Sequence, residues 1–456
     1  MEEIKSTPKA SSVGTKISYS IGDIGCNFVW TFVAGFLILY YTDSVGMSAA
    51  FVGTMIFISR VLDGVTDLVM GGIIEKTNTR WGKARPWILF TCLPLAVSLV
   101  LLFNVPEGFS ETGQQIYIYA TYIFLTSITY TAVNLSYNAM LPRFSLTTHD
   151  RNIVSAYRGV AVIVAALSIS IATPFLLEAF GGSSNQQTWS TISLLYACIC
   201  FTMLLITFFG VKERIPPTVD EEGKPAKIPL KKALSITLKN KYFYIATAMF
   251  IAFYAVTGSG GVGIYFARDV MGDANLFGLI SAIAILPMLI AIPVLPSLYK
   301  KFGRRNIMLT GVLVMVAGCA LQLIRPDNLM LYLVFAVVRG FGSIAFSLPI
   351  FALASDIVEL DEHRHGVRAE GLVTSVNSFG VKVGTGFGTA MVGWALALGR
   401  YDANATVQPT SSINAMIFLQ IGLPLILGVI LAVLLLFWDI EKYQKGIPSR
   451  TEEETK

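Results

Sequence analysis

Two aspartates lie four residues apart within a long apolar stretch, in the string RVLDGVTDLVMGG that starts at Arg60. On a helix, Asp63 and Asp67 would lie on one face, about 40° apart. Two carboxylates held that close repel each other, so either a cation joins them or one of them binds a proton. The spacing therefore predicts an ion or proton site. The alternative is a static salt bridge between Arg60 and Asp63, with Asp67 extended towards the nearer membrane surface.

Further polar side chains interrupt other apolar stretches. Asp23 and Asn27 in SIGDIGCNF, and Asn134 and Asn138 in TAVNLSYNAM, repeat the spacing of four residues. A charge near the centre of a membrane costs from about 2.5 to more than 10 kcal/mol. Each polar group alone could extend to the surface or bond to a neighbouring helix, but together they predict a shared polar interior. The basic members of this set are Arg158, Arg339 and Lys382.

The composition indicates that these apolar stretches cross a membrane. The chain of 456 residues is 54% hydrophobic and only 14% charged, with a mean hydropathy of +0.64. About 20 apolar residues cross a hydrocarbon core roughly 30 Å thick. No stretch alternates with the period of a barrel strand, so the predicted class is an all-α membrane protein with twelve transmembrane helices. The predicted spans are 18–43, 48–74, 86–105, 114–141, 153–178, 189–210, 242–267, 275–298, 306–325, 329–354, 370–398 and 413–438.

Lysine and arginine predict the orientation of these spans. Connections after odd-numbered spans carry only three basic side chains, those of Arg268, Arg325 and Arg400. By the positive-inside rule, both termini are then cytoplasmic. The formal charge of +5 follows from this asymmetry, so it does not call for a nucleic-acid partner. The basic connections, all after even-numbered spans, are 76–86, 142–151, 211–241 and 300–306.

The longest hydrophilic stretch predicts a division into two halves. Gly82 in RWGKAR and Gly303 in KFGRRN take matching places, each followed within three residues by two basic side chains. A parallel repeat of two six-helix bundles is typical of the major facilitator architecture. The run GTGFG at 384–388 lacks a preceding strand, so it predicts close helix contact rather than a nucleotide loop. The predicted parts are an N-terminal bundle at 1–210, a cytoplasmic loop at 211–241, a C-terminal bundle at 242–440 and a tail at 441–456.

At these residues the chain resembles the glycoside–pentoside–hexuronide:cation symporters, whose best-known member is melibiose permease. The resemblance covers essentially the whole chain and is strongest in SYSIGDIGCNF, RVLDGVTDLVMGG, NTRWGKARPW, YTAVNLSYNAMLP and DIVELDEHRHGVRAEGLVTSVNSFGVK. It implies the major facilitator fold, cation-coupled sugar symport by alternating access, and a location in a bacterial inner membrane. The resemblance implies no enzyme activity and no cofactor.

The resemblance also implies roles for particular residues. Asp63 and Asp67 match the cation-binding carboxylates, and Thr66 and Thr131 take positions near the cation. Lys382 matches a lysine close to the same site, which implies a part in coupling. Arg158 matches an arginine that lines the sugar pocket. Asp23, Asn27, Asn134 and Asn138 complete the expected substrate-binding set, and Arg339 is either a further substrate contact or a partner for a backbone carbonyl.

Departures from melibiose permease concern the substrate. The aspartates that hold its galactoside on helices one and four are replaced by Asn27 and Asn134, and its adjacent lysine and tryptophan by Cys26 and Asn138. Glucuronide carriers of the family look closer, since they have asparagine at both aspartate positions. The expected cargo is therefore a pentoside, glucoside or hexuronide rather than a galactoside.

Two questions about the expected symport stay open at this point. The coupling ion is a proton or sodium, and the proton is favoured because it needs only one carboxylate. The second candidate function is transport of a lysophospholipid-type lipid, since animal carriers of that kind share the overall pattern. The polar cluster of Asn27, Asn134, Asn138 and Arg158 favours sugar hydroxyls over a lipid. We expect a monomer to be the functional form.

Overall fold

The computed structural model describes residues 11–145, 148–213, 239–365, 370–405 and 407–440. Most of the predicted central loop at 211–241, and the predicted tail at 441–456, lie outside these residues. The helices fall into an N-terminal and a C-terminal unit, with the division within the central segment. The exact domain boundaries stay a prediction.

The N-terminal unit is built from seven α-helices and two π-helical segments among the described residues. Tyr40–Ser44 and Phe124–Tyr130 are the π-helical segments. The second of these joins two helices into one continuous span. The α-helices are α1 (Val13–Leu39), α2 (Ala49–Lys76), α3 (Arg85–Leu102), α4 (Glu111–Ile123), α5 (Thr131–Phe144), α6 (Thr148–Phe180) and α7 (Gln186–Gly210).

The C-terminal unit repeats this pattern with more interruptions. After its first helix, α8 (Lys241–Gly258), the chain continues through a 3-10 turn at Ser259–Val262, a helical turn at Gly263–Tyr265 and a π-helical segment at Phe266–Val270. A further π-helical segment lies at Phe418–Gly422. The other helices are α9 (Leu276–Ala291), α10 (Leu295–Phe302), α11 (Arg304–Gln322), α12 (Leu329–Ser347), α13 (Ala352–His365), α14 (Glu370–Leu398), α15 (Thr410–Ile417) and α16 (Leu423–Leu436).

The helices confirm a multi-pass membrane protein. Eleven helical stretches of the described residues are long and apolar enough to cross a membrane, and α9 with α10, bent by 58°, would make a twelfth. Pro293 lies in the break between these two helices, where it removes an N–H donor and disfavours helix at the preceding residue. The described residues form no strand, only an isolated bridge between Thr79 and Gly82.

Matching turns in the two units bear out the internal repeat. Gly82 and Gly303 have φ values of +111° and +83°, a region that favours glycine. After the first glycine, Nε of Arg85 donates to the carbonyl of Phe208 near the end of α7 at 2.8 Å. After the second, Arg305 donates to the carbonyl of Leu435 at the end of α16 at 2.9 Å. In both units a guanidinium thus bonds to a carbonyl near the end of the last helix, a region where carbonyls lack intrahelical donors.

The carboxylate of Glu213 also fixes the turn at Gly82. Glu213 accepts the backbone N–H groups of Lys83, Ala84 and Arg85 at 3.1, 2.9 and 2.8 Å. These groups lie at the beginning of α3, where N–H donors are otherwise unsatisfied and the helix dipole favours an anion. The turn between α2 and α3 is therefore tied to the residues that follow α7.

The glycines of GTGFG confirm the predicted helix contact. A Cβ added to Gly384 would lie 2.7 Å from the carbonyl oxygen of Ile251, and one on Gly388 would overlap the backbone of Ala255. Only glycine lets α14 and α8 approach this closely. The run is therefore a packing surface between two helices.

Asp439, which lies beyond the last span, joins a small polar cluster at the beginning of α8. Asp439 accepts hydrogen bonds from the hydroxyl of Tyr242 at 2.5 Å and from Nζ of Lys241 at 3.4 Å. The hydrogen bond from Tyr242, with the nearby lysine, lowers the pKa of Asp439 from its ordinary value. This cluster ties the beginning of α8 to the chain that follows α16.

Candidate functional site

The two aspartates of α2 face the middle of the fourth span. Asp63 is buried, with 4% of its surface exposed, and Asp67 is half-buried one turn further along. The facing segment comprises the π-helix Phe124–Tyr130 and the beginning of α5. α2 packs against both parts of this segment. The spacing of four residues thus places both carboxylates towards a single neighbouring element.

Both oxygens of Asp63 receive hydrogen bonds. Nη1 of Arg60 donates to Oδ2 at 3.1 Å, and the hydroxyl of Ser127 donates to Oδ1 at 2.5 Å. The side chains of Arg60 and Asp63 are 9% and 5% exposed, so this ion pair is shielded from solvent. The salt bridge that the sequence raised as an alternative is therefore present. An ion at Asp63 would therefore compete with Arg60 for this carboxylate.

Asp67 lies beside a different hydroxyl. Thr131 donates to Oδ1 of Asp67 at 3.3 Å and also to the backbone carbonyl of Thr126 at 3.2 Å. Thr66 instead donates to the backbone carbonyl of Asp63 at 3.1 Å, along its own helix. The structure thus brings Thr131 to the carboxylates and directs the hydroxyl of Thr66 to the backbone.

A second polar cluster joins α1, α5 and α6. Nε of Arg158 donates to Oδ2 of Asp23 at 2.7 Å, and its Nη2 donates to the side-chain oxygen of Asn138 at 3.0 Å. The Asp23 side chain is 5% exposed and the Arg158 side chain 25% exposed. The guanidinium is thus held by a buried carboxylate while part of it stays open to solvent.

The predicted asparagines lie around this ion pair. The side-chain nitrogen of Asn27 donates to the backbone carbonyl of Asp23 at 2.8 Å. That of Asn138 donates to the side-chain oxygen of Asn134 at 2.9 Å, and that of Asn134 approaches the hydroxyl of Tyr130 at 3.5 Å. Asn138 is exposed, and Asn27 and Asn134 are half-buried. Amide groups at such positions can both donate to and accept from sugar hydroxyls.

Two aromatic rings connect the carboxylates to the asparagine cluster. The guanidinium of Arg60 lies 4.2 Å from the ring centre of Trp30, and Trp30 stacks on Tyr130 with ring centres 5.2 Å apart. Tyr130 in turn contacts Asn134. The two predicted sites are therefore linked by continuous contacts within the N-terminal unit.

A pair of tyrosines packs against the guanidinium of Arg158. The hydroxyl of Tyr19 donates to the carbonyl of Tyr137 at 2.8 Å, and the hydroxyl of Tyr137 donates to the carbonyl of Tyr19 at 2.7 Å. Their rings are 4.3 Å apart and nearly parallel. The guanidinium of Arg158 lies 5.1 Å from the ring centre of Tyr137. This reciprocal pair fixes α1 against α5 at the level of the polar cluster.

The other two predicted residues belong to the C-terminal unit. Lys382 is half-buried on α14. Arg339 on α12 is half-buried, and its Nη1 donates to the backbone carbonyl of Gln420 at 3.1 Å and to the side chain of Gln322 at 3.4 Å. Of the two roles proposed for Arg339, the contact to a backbone carbonyl is thus observed. A substrate contact stays a prediction.

The sequence patterns did not single out Trp30 and Ser127. Asp23, Asn27 and Trp30 lie at helical positions i, i+4 and i+7, and Ser127, Thr131, Asn134 and Asn138 follow the same kind of stripe. Their helical spacing could therefore have drawn attention to Trp30 and Ser127. The hydrogen bond from Ser127 to Asp63 was not predictable, because it depends on how two helices pack.

The groups around Asp63 and Asp67 present oxygen atoms, the ligand type that hard cations prefer. The described residues contain no cluster of three or more His, Cys, Asp or Glu side chains that could hold a metal ion. Any alkali ion would therefore add hydroxyl or carbonyl oxygens to the two carboxylates. A proton would need only one carboxylate.

Known proteins similar to this chain are sugar transporters. An isoprimeverose transporter of Lactiplantibacillus pentosus is 32% identical over 448 residues, which cover 96% of this chain and 91% of the relative. A putative glycoside/cation symporter of Escherichia coli is 31% identical over 424 residues, which cover 90% and 88%. These relatives are transporters rather than enzymes.

Solved structures show the same fold at low sequence identity. A bacterial homolog of the human lysosomal transporter Spinster, in an inward-facing and unoccupied conformation, matches with a TM-score of 0.66 and 14% identity. The alignment covers 96% of this chain and 98% of that chain. At this identity the likeness shows the fold alone.

The family follows from the extent of these matches. Residues 18–442 match the family described as MFS/sugar transport protein. This range includes both polar clusters and every span except the first five residues of α1. The chain therefore belongs to the MFS/sugar transport family, in agreement with its resemblance to the glycoside–pentoside–hexuronide:cation symporters.

Proposed function

We propose that the chain is a symporter that couples uptake of a glycoside to an ion bound at Asp63 and Asp67. The observation that carries this proposal is the arrangement of two carboxylates on α2 opposite two hydroxyl donors of the fourth span, Ser127 and Thr131. Such a group of oxygens inside a membrane is costly to maintain and favours a positive ion or a proton.

The proton is the favoured coupling ion. An alkali ion needs several oxygen ligands, whereas a proton needs only one carboxylate. The asparagines Asn27 and Asn134, which replace two aspartates of melibiose permease, also leave fewer carboxylates in the polar interior as a whole. Sodium is the alternative, with hydroxyl oxygens such as that of Thr131 as added ligands.

An uncharged glycoside is the favoured cargo. Arg158 is paired with Asp23, so their combined charge is zero and neither sign of substrate charge gains a strong advantage. The neighbouring Asn27, Asn134 and Asn138 offer amide groups that suit sugar hydroxyls. The isoprimeverose named for one relative makes that sugar the first candidate. A hexuronide is the second.

Ion binding offers a physical reason for coupling. Neutralising the carboxylate pair removes a repulsion that differs between conformations, so the ion shifts their equilibrium during alternating access. One positive charge moved across 100 mV gains about 2.3 kcal/mol. That energy supports about fiftyfold accumulation of a neutral solute. An anionic sugar carried with one cation would gain nothing from the voltage.

Uptake into vesicles tests the proposal. Membrane vesicles containing the protein receive labelled isoprimeverose or labelled methyl glucuronide under an imposed proton gradient, an imposed sodium gradient or neither. We expect accumulation that requires one of the two gradients and collapses when an ionophore dissipates it. Sugar uptake indifferent to both gradients, with transport of a labelled lysophospholipid instead, would contradict it.

A further inference from the structure

Ser127 is a buried residue for which neither the sequence patterns nor the family resemblance supplies a role. It lies in the π-helical segment Phe124–Tyr130, with 1% of its surface exposed. Its hydroxyl donates to Oδ1 of Asp63, while Nη1 of Arg60 donates to Oδ2 of the same carboxylate. The hydroxyl of Ser127 and the guanidinium of Arg60 therefore each bond to one oxygen of this carboxylate.

The guanidinium of Arg60 has a buried donor in addition to Nη1. Its Nε has no acceptor among the described residues, and Arg60 as a whole is only 8% exposed. Arginine pairs most strongly with a carboxylate when two of its N–H groups bond to the two oxygens in parallel. Such pairing with Asp63 would engage Oδ1, the oxygen to which Ser127 now donates. Ser127 and a second N–H group of Arg60 would therefore compete for the same oxygen.

We propose that Ser127 is a positioning residue of the ion site, because its hydroxyl competes with Arg60 for Oδ1 and so disfavours a bidentate pair between Arg60 and Asp63. The carboxylate then keeps an orientation in which the coupling ion competes with only one guanidinium hydrogen bond. This inference rests on the proposed function, since it requires an ion at Asp63 and Asp67.

The local backbone provides the geometry that this role needs. The backbone is π-helical from Phe124 to Tyr130. π-helical turns are rare and often occur at functional sites. Ser127 lies within this segment and Thr131 follows it directly, and each of these residues donates to a different carboxylate of α2. The segment therefore directs one hydroxyl to each aspartate.

Three serine variants in the vesicle assay test this role. Ser127→Ala should raise the half-saturating concentration of the ion that drives the wild type by about tenfold, roughly the effect of one hydrogen bond to a charged group. Half-saturation by the accumulated glycoside should change less than about twofold. Ser127→Thr keeps the hydroxyl and should resemble the wild type. Ser136→Ala is the matched control, because Ser136 is also buried and its hydroxyl has no partner among the described residues.

The outcomes separate this inference from the proposed function. A wild type without any ion dependence would overturn the symport proposal and the role of Ser127 together. An ion-driven wild type with unchanged ion half-saturation in Ser127→Ala would overturn the role of Ser127 alone. A raised half-saturation in both Ser127→Ala and Ser127→Thr would also overturn it, because the effect would then follow packing rather than the hydroxyl.

Discussion

Asp67 is more exposed than Asp63, its neighbour on α2. Asp63 is 4% exposed and accepts hydrogen bonds on both oxygens, whereas Asp67 is half-buried and lies 3.3 Å from the hydroxyl of Thr131. A carboxylate that reaches both a hydroxyl and an accessible region can exchange an ion more readily than one held in a buried pair. The two aspartates therefore differ in their expected effects on transport.

Replacement of Asp67 by asparagine tests its part in coupling. Asp67→Asn should bind glycoside about as well as the wild type but reduce the accumulation ratio from tens to about one, because the ion gradient no longer contributes energy. Equilibrium binding and vesicle accumulation measure the two properties separately. Loss of the protein from the membrane would instead indicate that Asp67 serves the fold.

Arg158 should depend on the shape of its side chain as well as on its charge. In Arg158→Lys, one ammonium cannot reproduce the contacts of the guanidinium with both Asp23 and Asn138. We expect glycoside affinity to fall about tenfold, the order expected for one hydrogen bond to a charged group. Competition binding with labelled glycoside measures this effect. Arg325→Lys, at an exposed position, is the control, and equal affinities in both variants would exclude the role.

The sequence predicts the members of the site better than their pairing. The spacing of Asp63 and Asp67 and the resemblance at Thr131 were sufficient to select residues that lie together. The choice between an ion site and a salt bridge was left open, and the structure shows the Arg60 pair without excluding an ion. Ser127 was missed because a serine in an apolar span is common, and only helix packing reveals its acceptor.

At the scale of helices, the contact between α8 and α14 depends on glycine. A methyl group at Gly388 would overlap the backbone of Ala255, and overpacking of this kind costs about 1–3 kcal/mol. Gly388→Ala should therefore lower the thermal unfolding temperature of the purified protein. Gly35→Ala on α1 is the control, since nothing lies within 4 Å of the added methyl group. A similar change in both variants would contradict the packing role.

Hydropathy predicts the existence of the spans but not their internal irregularities. The predicted span at 275–298 is bent between α9 and α10, a break that Pro293 could have suggested. The π-helical segments Tyr40–Ser44, Phe124–Tyr130, Phe266–Val270 and Phe418–Gly422 have no comparable sequence signal. The segment Phe124–Tyr130 contains Ser127 and ends next to Thr131. An element that the sequence does not predict therefore positions the candidate ion site.

At the scale of the whole molecule, composition and hydropathy predict the architecture, whereas the substrate depends on a few individual side chains. Composition and hydropathy predicted a multi-pass helical protein, which the spans confirm. The asymmetry of lysine and arginine predicts cytoplasmic termini, and this stays a prediction. The substrate is harder to predict because a few side chains, such as Asn27 and Asn134, distinguish one sugar from another on a shared scaffold.

The central claim is that sugar and ion move together, and sugar-evoked ion movement tests it most directly. De-energised cells containing the protein are placed in weakly buffered medium, and isoprimeverose is added outside while external protons and sodium are recorded. The account predicts uptake of one of these ions in a fixed ratio to the sugar, and no such uptake in Asp67→Asn. Sugar uptake by the wild type without movement of either ion would contradict it.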